Sequence, residues 1–143
     1  MADAMSGRVD RRSRSDEAGK RPQSRLEIGA RGEDLAVAEL ELQGMQVVAR
    51  NWRCRLGEID IIALEERAGR LTVVFCEVKC RTGLGFGRPL EAITYAKLRK
   101  LRQLSAQWLA TGQVRADEIR LDAIGVVILP GGLPDLTHVK AIG

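Results

Sequence analysis

Residues 26–44 are dominated by Ala, Leu and Glu, as in "GEDLAVAELELQG", and Gly44 stands where a helix would stop. "MQVVAR" predicts a short strand, and "NWRCRLG" a connector or a bent continuation of it. The helical period then gives way to alternation. Residues 58–65 and 71–80 are rich in β-branched side chains and predict two strands, with "EERAGR" as the hairpin turn between them. "RTGLGFGRP" is a loop with three glycines. No Walker lysine or dinucleotide fingerprint follows it, so its glycines confer mobility rather than a phosphate cradle. "LEAITYAKLRKLRQLSAQWLATG" returns to the helical period, with Ile93, Ala96, Leu101, Leu104 and Trp108 on the apolar face and Lys97, Arg99, Lys100 and Arg102 crowded together. "EIRLDAIGVVIL" and "LTHVKAI" predict two further strands. The order helix, three strands, helix, two strands points to an α/β domain with a mixed central β-sheet flanked by α-helices.

Composition sharpens this picture in a few places. A chain of 143 residues with 45% hydrophobic and 29% charged residues is that of one ordinary globular domain. Aromatics are only 3%, so the core must be built from Leu, Ile, Val and Ala. Residues 1–24 contain few large apolar groups and read as a disordered basic tail, which leaves 25–143 as the folded domain. The net charge of +4 favours a polyanionic partner. Residues 1–25 hold seven basic and four acidic side chains, however, so most of the excess lies in the tail. Cys54, Cys76 and Cys80 are odd in number and lack paired spacing, which argues against a disulfide framework. Cys76 and Cys80 could join His138 in a zinc site, but a C-x3-C spacing inside a strand is not the usual knuckle. They read instead as small apolar residues in a reducing cytoplasm. No apolar run is long enough to span a membrane and no apolar signal-peptide core is present, so a cytoplasmic location is expected.

The hairpin carries the chemistry. Asp60, Glu77 and Lys79 interrupt otherwise apolar strands, where an unpaired charge is expensive to bury. Glu77 and Lys79 share one face of their strand. With the turn centred between Ala68 and Gly69, Asp60 falls directly opposite Glu77, their Cβ atoms roughly 5 Å apart. Two carboxylates so placed repel unless something positive lies between them. A divalent cation would serve, and hard oxygen ligands suit Mg²⁺ or Mn²⁺. A one-residue slip of the turn would send Asp60 to the other face. The alternative is an ion pair of Lys79 with Asp60 or Glu77 at a strand end.

Glu33 lies on the helical stripe of Ala36, Val37 and Leu40 and could point toward the sheet as a third carboxylate; otherwise it is a surface glutamate near a helix start. Glu58 ranks behind it, as a secondary ligand or an ion-pair partner. Trp52 and Trp108 read as packing residues, although Trp52, between Asn51 and Arg53, could stack on an unpaired base.

A helix carrying Glu, a hairpin carrying Asp, and Glu-x-Lys on the next strand resemble the PD-(D/E)XK nuclease superfamily. The stretches "GARGEDLAVAEL", "RNWRCRLGEIDIIA", "VFCEVKCRTGLGFGRPLEAITYAKLRKL" and "IRLDAIGVV" are similar to the YraN-like family of small bacterial proteins, related in turn to Holliday junction resolvases. One departure from the superfamily name is Ile59 where Pro would precede the aspartate. The resemblance implies a restriction-endonuclease-like fold. It implies an active site of Glu33, Asp60, Glu77 and Lys79, with Asp60, Glu77 and Glu33 as ligands of Mg²⁺ or Mn²⁺.

The leading expectation is therefore a metal-dependent DNA endonuclease acting on branched or otherwise structured DNA. Arg53, Arg55, Arg81, Arg88 and Lys97 are its candidate nucleic-acid contacts. Each of these cations alone reads more readily as a solvated surface residue. The alternative is a nucleic-acid-binding module, or an accessory to a partner nuclease, that keeps the pocket without cutting. A homodimer would suit a junction-cutting enzyme, though the sequence shows no self-complementary patch that demands one.

Overall fold

The computed structural model describes residues 24–83, 90 and 93–143. The expected tail except Ser24, most of the glycine loop and Arg88 lie outside the described residues. Helix α1 spans Arg25–Leu42 and is followed by strands β1 (Gln46–Cys54), β2 (Gly57–Arg67) and β3 (Arg70–Arg81), helix α2 (Tyr95–Ala110), and strands β4 (Glu118–Val127) and β5 (Asp135–Val139). This is the order expected from the hydrophobic pattern. The five strands lie side by side in sequence order. All neighbours are antiparallel except β3 and β4, which run parallel. The mixed α/β arrangement agrees with a restriction-endonuclease-like fold.

Local chemistry sets the boundaries. Ser24 caps α1, its hydroxyl accepting the Glu27 N–H at 3.1 Å. Gly44, at φ 89°, turns the chain out of the helix. Thr94 caps α2 by accepting the Lys97 N–H at 3.2 Å, so that helix begins later than its composition suggests. Ile93 therefore precedes the helix and Ala96 is exposed; the face that packs is Leu101, Leu104, Ser105 and Trp108. Residues 51–54, expected as a connector or bent strand, complete β1. The hairpin is tighter than "EERAGR" implied. Strand pairing runs out to Arg67 and Arg70, leaving only Ala68 (φ 52°) and Gly69 (φ 76°) in the turn. Two left-handed central residues are the signature of a type I′ turn, whose twist matches that of the flanking strands.

The sheet is buried on both faces. Against α1 pack Ile61, Ala63, Val74, Cys76, Ile124 and Val126; against α2 pack Ile59, Ile62, Val73, Phe75 and Leu121. Trp108 is buried and meets Phe75 edge to face at 5.8 Å, and Trp52 packs partly buried against the same cluster, so both tryptophans are packing residues. Gly32 lets α1 lie close on β3. A Cβ there would stand 2.7 Å from Cys80 Sγ and 2.8 Å from Cys80 Cβ.

One charged cluster is enclosed on the α1 face. The fully buried Asp122 accepts hydrogen bonds from Arg120 (2.8 and 3.0 Å), from the Ala141 N–H (3.1 Å) and bonds His138 Nε2 (2.8 Å). Arg120 also donates to Glu65 at 2.8 Å, and Gln43 at the end of α1 bonds His138 Nδ1 at 2.9 Å. Burial raises the Asp122 carboxyl, but His138 and Arg120 outweigh it and hold the pKa down to about 2. His138 is thus committed to Asp122 and Gln43. Cys54, Cys76 and Cys80 are all free thiols.

Candidate functional site

Asp60 sits where two strand ladders become irregular together. The β2–β3 pairing reaches Ile61 opposite Cys76, the register that the turn position predicts, and Asp60 and Glu77 come next in line. Instead of continuing the backbone ladder, the Asp60 carboxylate accepts the Val78 N–H at 2.8 Å. On its other side, Trp52 pairs with Ile59 and Arg50 with Ile61, leaving Asn51 facing Asp60. Asn51 has φ 52°, in the left-handed region that Asn tolerates better than most residues. Ile59 and Ile62 pack into the same cluster although three positions apart, so strand alternation is broken between them.

The electrostatics follow from this crowding. Burial raises the Asp60 carboxyl, and Glu77, Glu58 and Glu33 raise it further, to about 7, despite the hydrogen bond from Val78. Lys79 Nζ lies 3.2 Å from Glu77 Oε1, so the ion pair weighed as an alternative is formed with Glu77. Burial lowers the Lys79 pKa, but the adjacent Lys97 amine, Glu77 and Asp60 more than offset it, and the net shift is upward. Lys97 is shifted downward, chiefly by the same contact with Lys79. Exposed on α2, Lys97 thereby reaches the Lys79 side of the cluster rather than standing apart in solvent.

Glu33 points from α1 toward β1, its side chain 12% exposed. Arg50 Nε and Asn51 Nδ2 both donate to its Oε1, each at 2.9 Å. Arg50 also pairs with Asp34 at 2.6 Å. Neither Arg50 nor Asn51 was expected to act here. The sequence pattern placed them at the junction of a short strand and a connector, which gives no side-chain direction. Glu58 pairs with the exposed Arg53 at 2.7 Å, the ion-pair role allowed for it.

Several of these groups, though not Lys97, line an open cavity of about 870 Å³ between the first turns of α1 and the ends of β1–β3. Glu33, Asp60 and Glu58 lie in its wall, with Arg25, Arg50, Arg53, Lys79 and Arg81 around them. Arg81 Nε is a buried nitrogen with no hydrogen-bond partner among the described residues. Arg55 is exposed and is not part of the lining. Glu77 is likewise absent from the lining; it reaches the cluster through Lys79 and through its effect on Asp60.

The donor set consists of carboxylate oxygens and suits a hard divalent cation in chemistry. The Asp60 carboxyl, raised first by burial and then by Glu77, Glu58 and Glu33, is the group whose ionisation such a cation would favour. Among the described residues no three acidic, His or Cys side chains already converge on one point. A cation would have to compete with Lys79 for Glu77 and gather Glu33 and Asp60 across the cavity.

Comparison with known proteins places the chain. The family described as "Uncharacterised protein family UPF0102" matches residues 32–126, a span that contains Glu33, Asp60, Glu77, Lys79 and Lys97. A UPF0102 protein of Mycobacterium ulcerans (strain Agy99) is 50% identical over 121 residues, covering 84% of this chain and 97% of the relative. A UPF0102 protein of Nocardia farcinica (strain IFM 10152) is 46% identical over 115 residues, covering 80% and 87%. One of Mycobacterium tuberculosis (strain ATCC 25177 / H37Ra) is 47% identical over 123 residues, covering 84% and 94%. The match takes in both halves of the site and the sheet that joins them, and it upholds the YraN-like resemblance: the chain belongs to the UPF0102 family.

Proposed function

We propose that this protein is a divalent-metal-dependent endonuclease that hydrolyses phosphodiester bonds in DNA, with branched or structured DNA as its candidate substrate. The observation that carries the reading is the acidic cluster around Asp60, with Lys79 beside it, opening into a cavity rimmed by arginines. Asp60 and Glu77 would hold Mg²⁺ or Mn²⁺, with Glu33 completing the set; a cation so held supplies an activated water and offsets charge on the phosphorane. Lys79, kept in place by Glu77, orients the attacking water or stabilises charge developing on the phosphate oxygens. Lys97 contacts the phosphate from α2. Arg53, Arg55 and Arg81 follow the DNA backbone, which makes binding salt-dependent.

The test is a cleavage assay on labelled four-way junction, flap, single-stranded and duplex DNA, with Mg²⁺, Mn²⁺ or EDTA. Metal-dependent cutting by the wild type, abolished in Asp60→Ala and Lys79→Ala, is the expected result. One observation favours a second reading, a DNA-binding module without cleavage: Glu77 is engaged by Lys79, and Glu33 by Arg50 and Asn51. DNA binding retained by all three proteins with no cutting under any condition would decide for that reading.

A further inference from the structure

Two donors converge on one oxygen of Glu33. Arg50 Nε and Asn51 Nδ2 both reach Oε1 at 2.9 Å, and Oε2 has no protein hydrogen-bond partner among the described residues. A carboxylate with one oxygen doubly bound has little rotational freedom left, so its second oxygen has a fixed direction. Glu33 lines the cavity that Asp60 also lines.

The donors are held as deliberately as the acceptor. Arg50 is anchored at its far end by Asp34, at 2.6 Å. Asn51 occupies the left-handed backbone region within a strand, a conformation that costs free energy and persists only where its surroundings enforce it. It faces Asp60 across the β1–β2 ladder, at the same point where β2 loses its alternation. A single distortion thus brings the Asn51 amide to Glu33 and Asp60 into the cavity wall.

We infer that Arg50 and Asn51 are positioning residues, which lock Glu33 through Oε1 and present its Oε2, together with Asp60, to a divalent cation in the cavity. The inference rests on the metal-binding part of the proposed function and adds the pair that prepares the site for it.

The test is a double-mutant cycle read by Mn²⁺ binding in calorimetry on the full chain, with DNA cleavage measured in parallel. Asn51→Gly is the informative variant, because glycine accepts φ 52° without strain and removes only the amide. Asn51→Gly should weaken Mn²⁺ binding about tenfold, the loss typical of removing a ligand's orienting partner, and Glu33→Gln, which removes the charge of the ligand itself, by at least as much. The double variant should bind no more weakly than Glu33→Gln alone, because both changes act through one carboxylate. The melting temperature of Asn51→Gly should not fall; should that variant fail to fold, Arg50→Lys, which lacks the Nε donor, takes its place in the cycle. Wild-type affinity in Asn51→Gly, multiplied losses in the double variant, or no Mn²⁺ binding by the wild type would each overturn the inference. Mn²⁺ binding with the expected coupling but no cleavage of any DNA would overturn the nuclease reading alone and leave this inference standing.

Discussion

Asp60 is the residue at which stability and chemistry are set against each other. Its carboxyl is held near 7 in the folded protein, against an ordinary value of 3.8. The folded state therefore binds a proton that the unfolded state releases between those two values. Asp60 adds stability that is fully present below about pH 4 and lost as the pH rises through 7. Asp60→Asn removes a charge that is costly to bury and repelled by Glu77, and should raise the melting temperature at pH 8 by several degrees, and by much less at pH 4.5, in scans without added divalent cation. The same variant should be inactive if the nuclease reading holds. The register that brings Asp60 and Glu77 next in line could be read from the sequence, because a two-residue turn fixes the rungs of a hairpin as far as its ladder runs, here to Ile61 opposite Cys76. The support of Glu33 by Arg50 and Asn51 could not, because it depends on a left-handed residue and a broken alternation, and neither leaves a trace in a hydrophobic pattern.

Two predictions belong to the elements. Ala68 occupies a left-handed position in the β2–β3 turn, which costs a residue with a Cβ about 1 kcal/mol or more. Ala68→Asn, giving the Asn-Gly pair that type I′ turns prefer, should stabilise the protein by about 0.5–1 kcal/mol in urea unfolding, with an unchanged m-value. Gly32→Ala should do the reverse. Its new methyl would collide with Cys80 on β3, and the overpacking should cost about 1–3 kcal/mol, measured the same way. The elements themselves were legible because the helical period, the alternation and the turn residues agree along most of the chain. The errors fell where capping decides: Thr94, rather than the apolar periodicity, sets where α2 begins, and so Ile93 and Ala96 are not on its packed face.

Two titrations of opposite sign act on the stability of the molecule. Asp122 is held at about 2, below its ordinary 3.8, so its contribution is present above pH 4 and is lost as the pH falls toward 2. Asp60 works the other way above pH 4. Thermal stability should therefore peak on the acid side of neutrality, near about pH 4–5. Asp122→Ala should lower stability by about 3–5 kcal/mol at neutral pH, since it leaves the buried His138 without its carboxylate and the half-buried Arg120 with Glu65 alone. The arginines around the cavity lead to a separate measurement. If the cavity seats DNA, Arg53→Ala and Arg81→Ala should each lower the slope of log affinity against log salt by about 1, with no change in sequence preference. Fluorescence anisotropy over a salt series reads this directly.

Strand β1 lies at one end of the sheet, and among the described residues one side of its backbone faces no other strand. Nine residues of open edge are a template on which a second molecule could add a strand and begin an aggregate. Groups already met at the site are placed to hinder this: the charges of Arg50 and Arg53, and the backbone irregularity at Asn51, which departs from the flat register an incoming strand requires. Selection to keep the chain in solution and selection to keep Glu33 aimed would thus bear on the same few positions. Removing Arg50, Asn51 and Arg53 together should yield a protein that precipitates on concentration, even where each single variant stays dissolved.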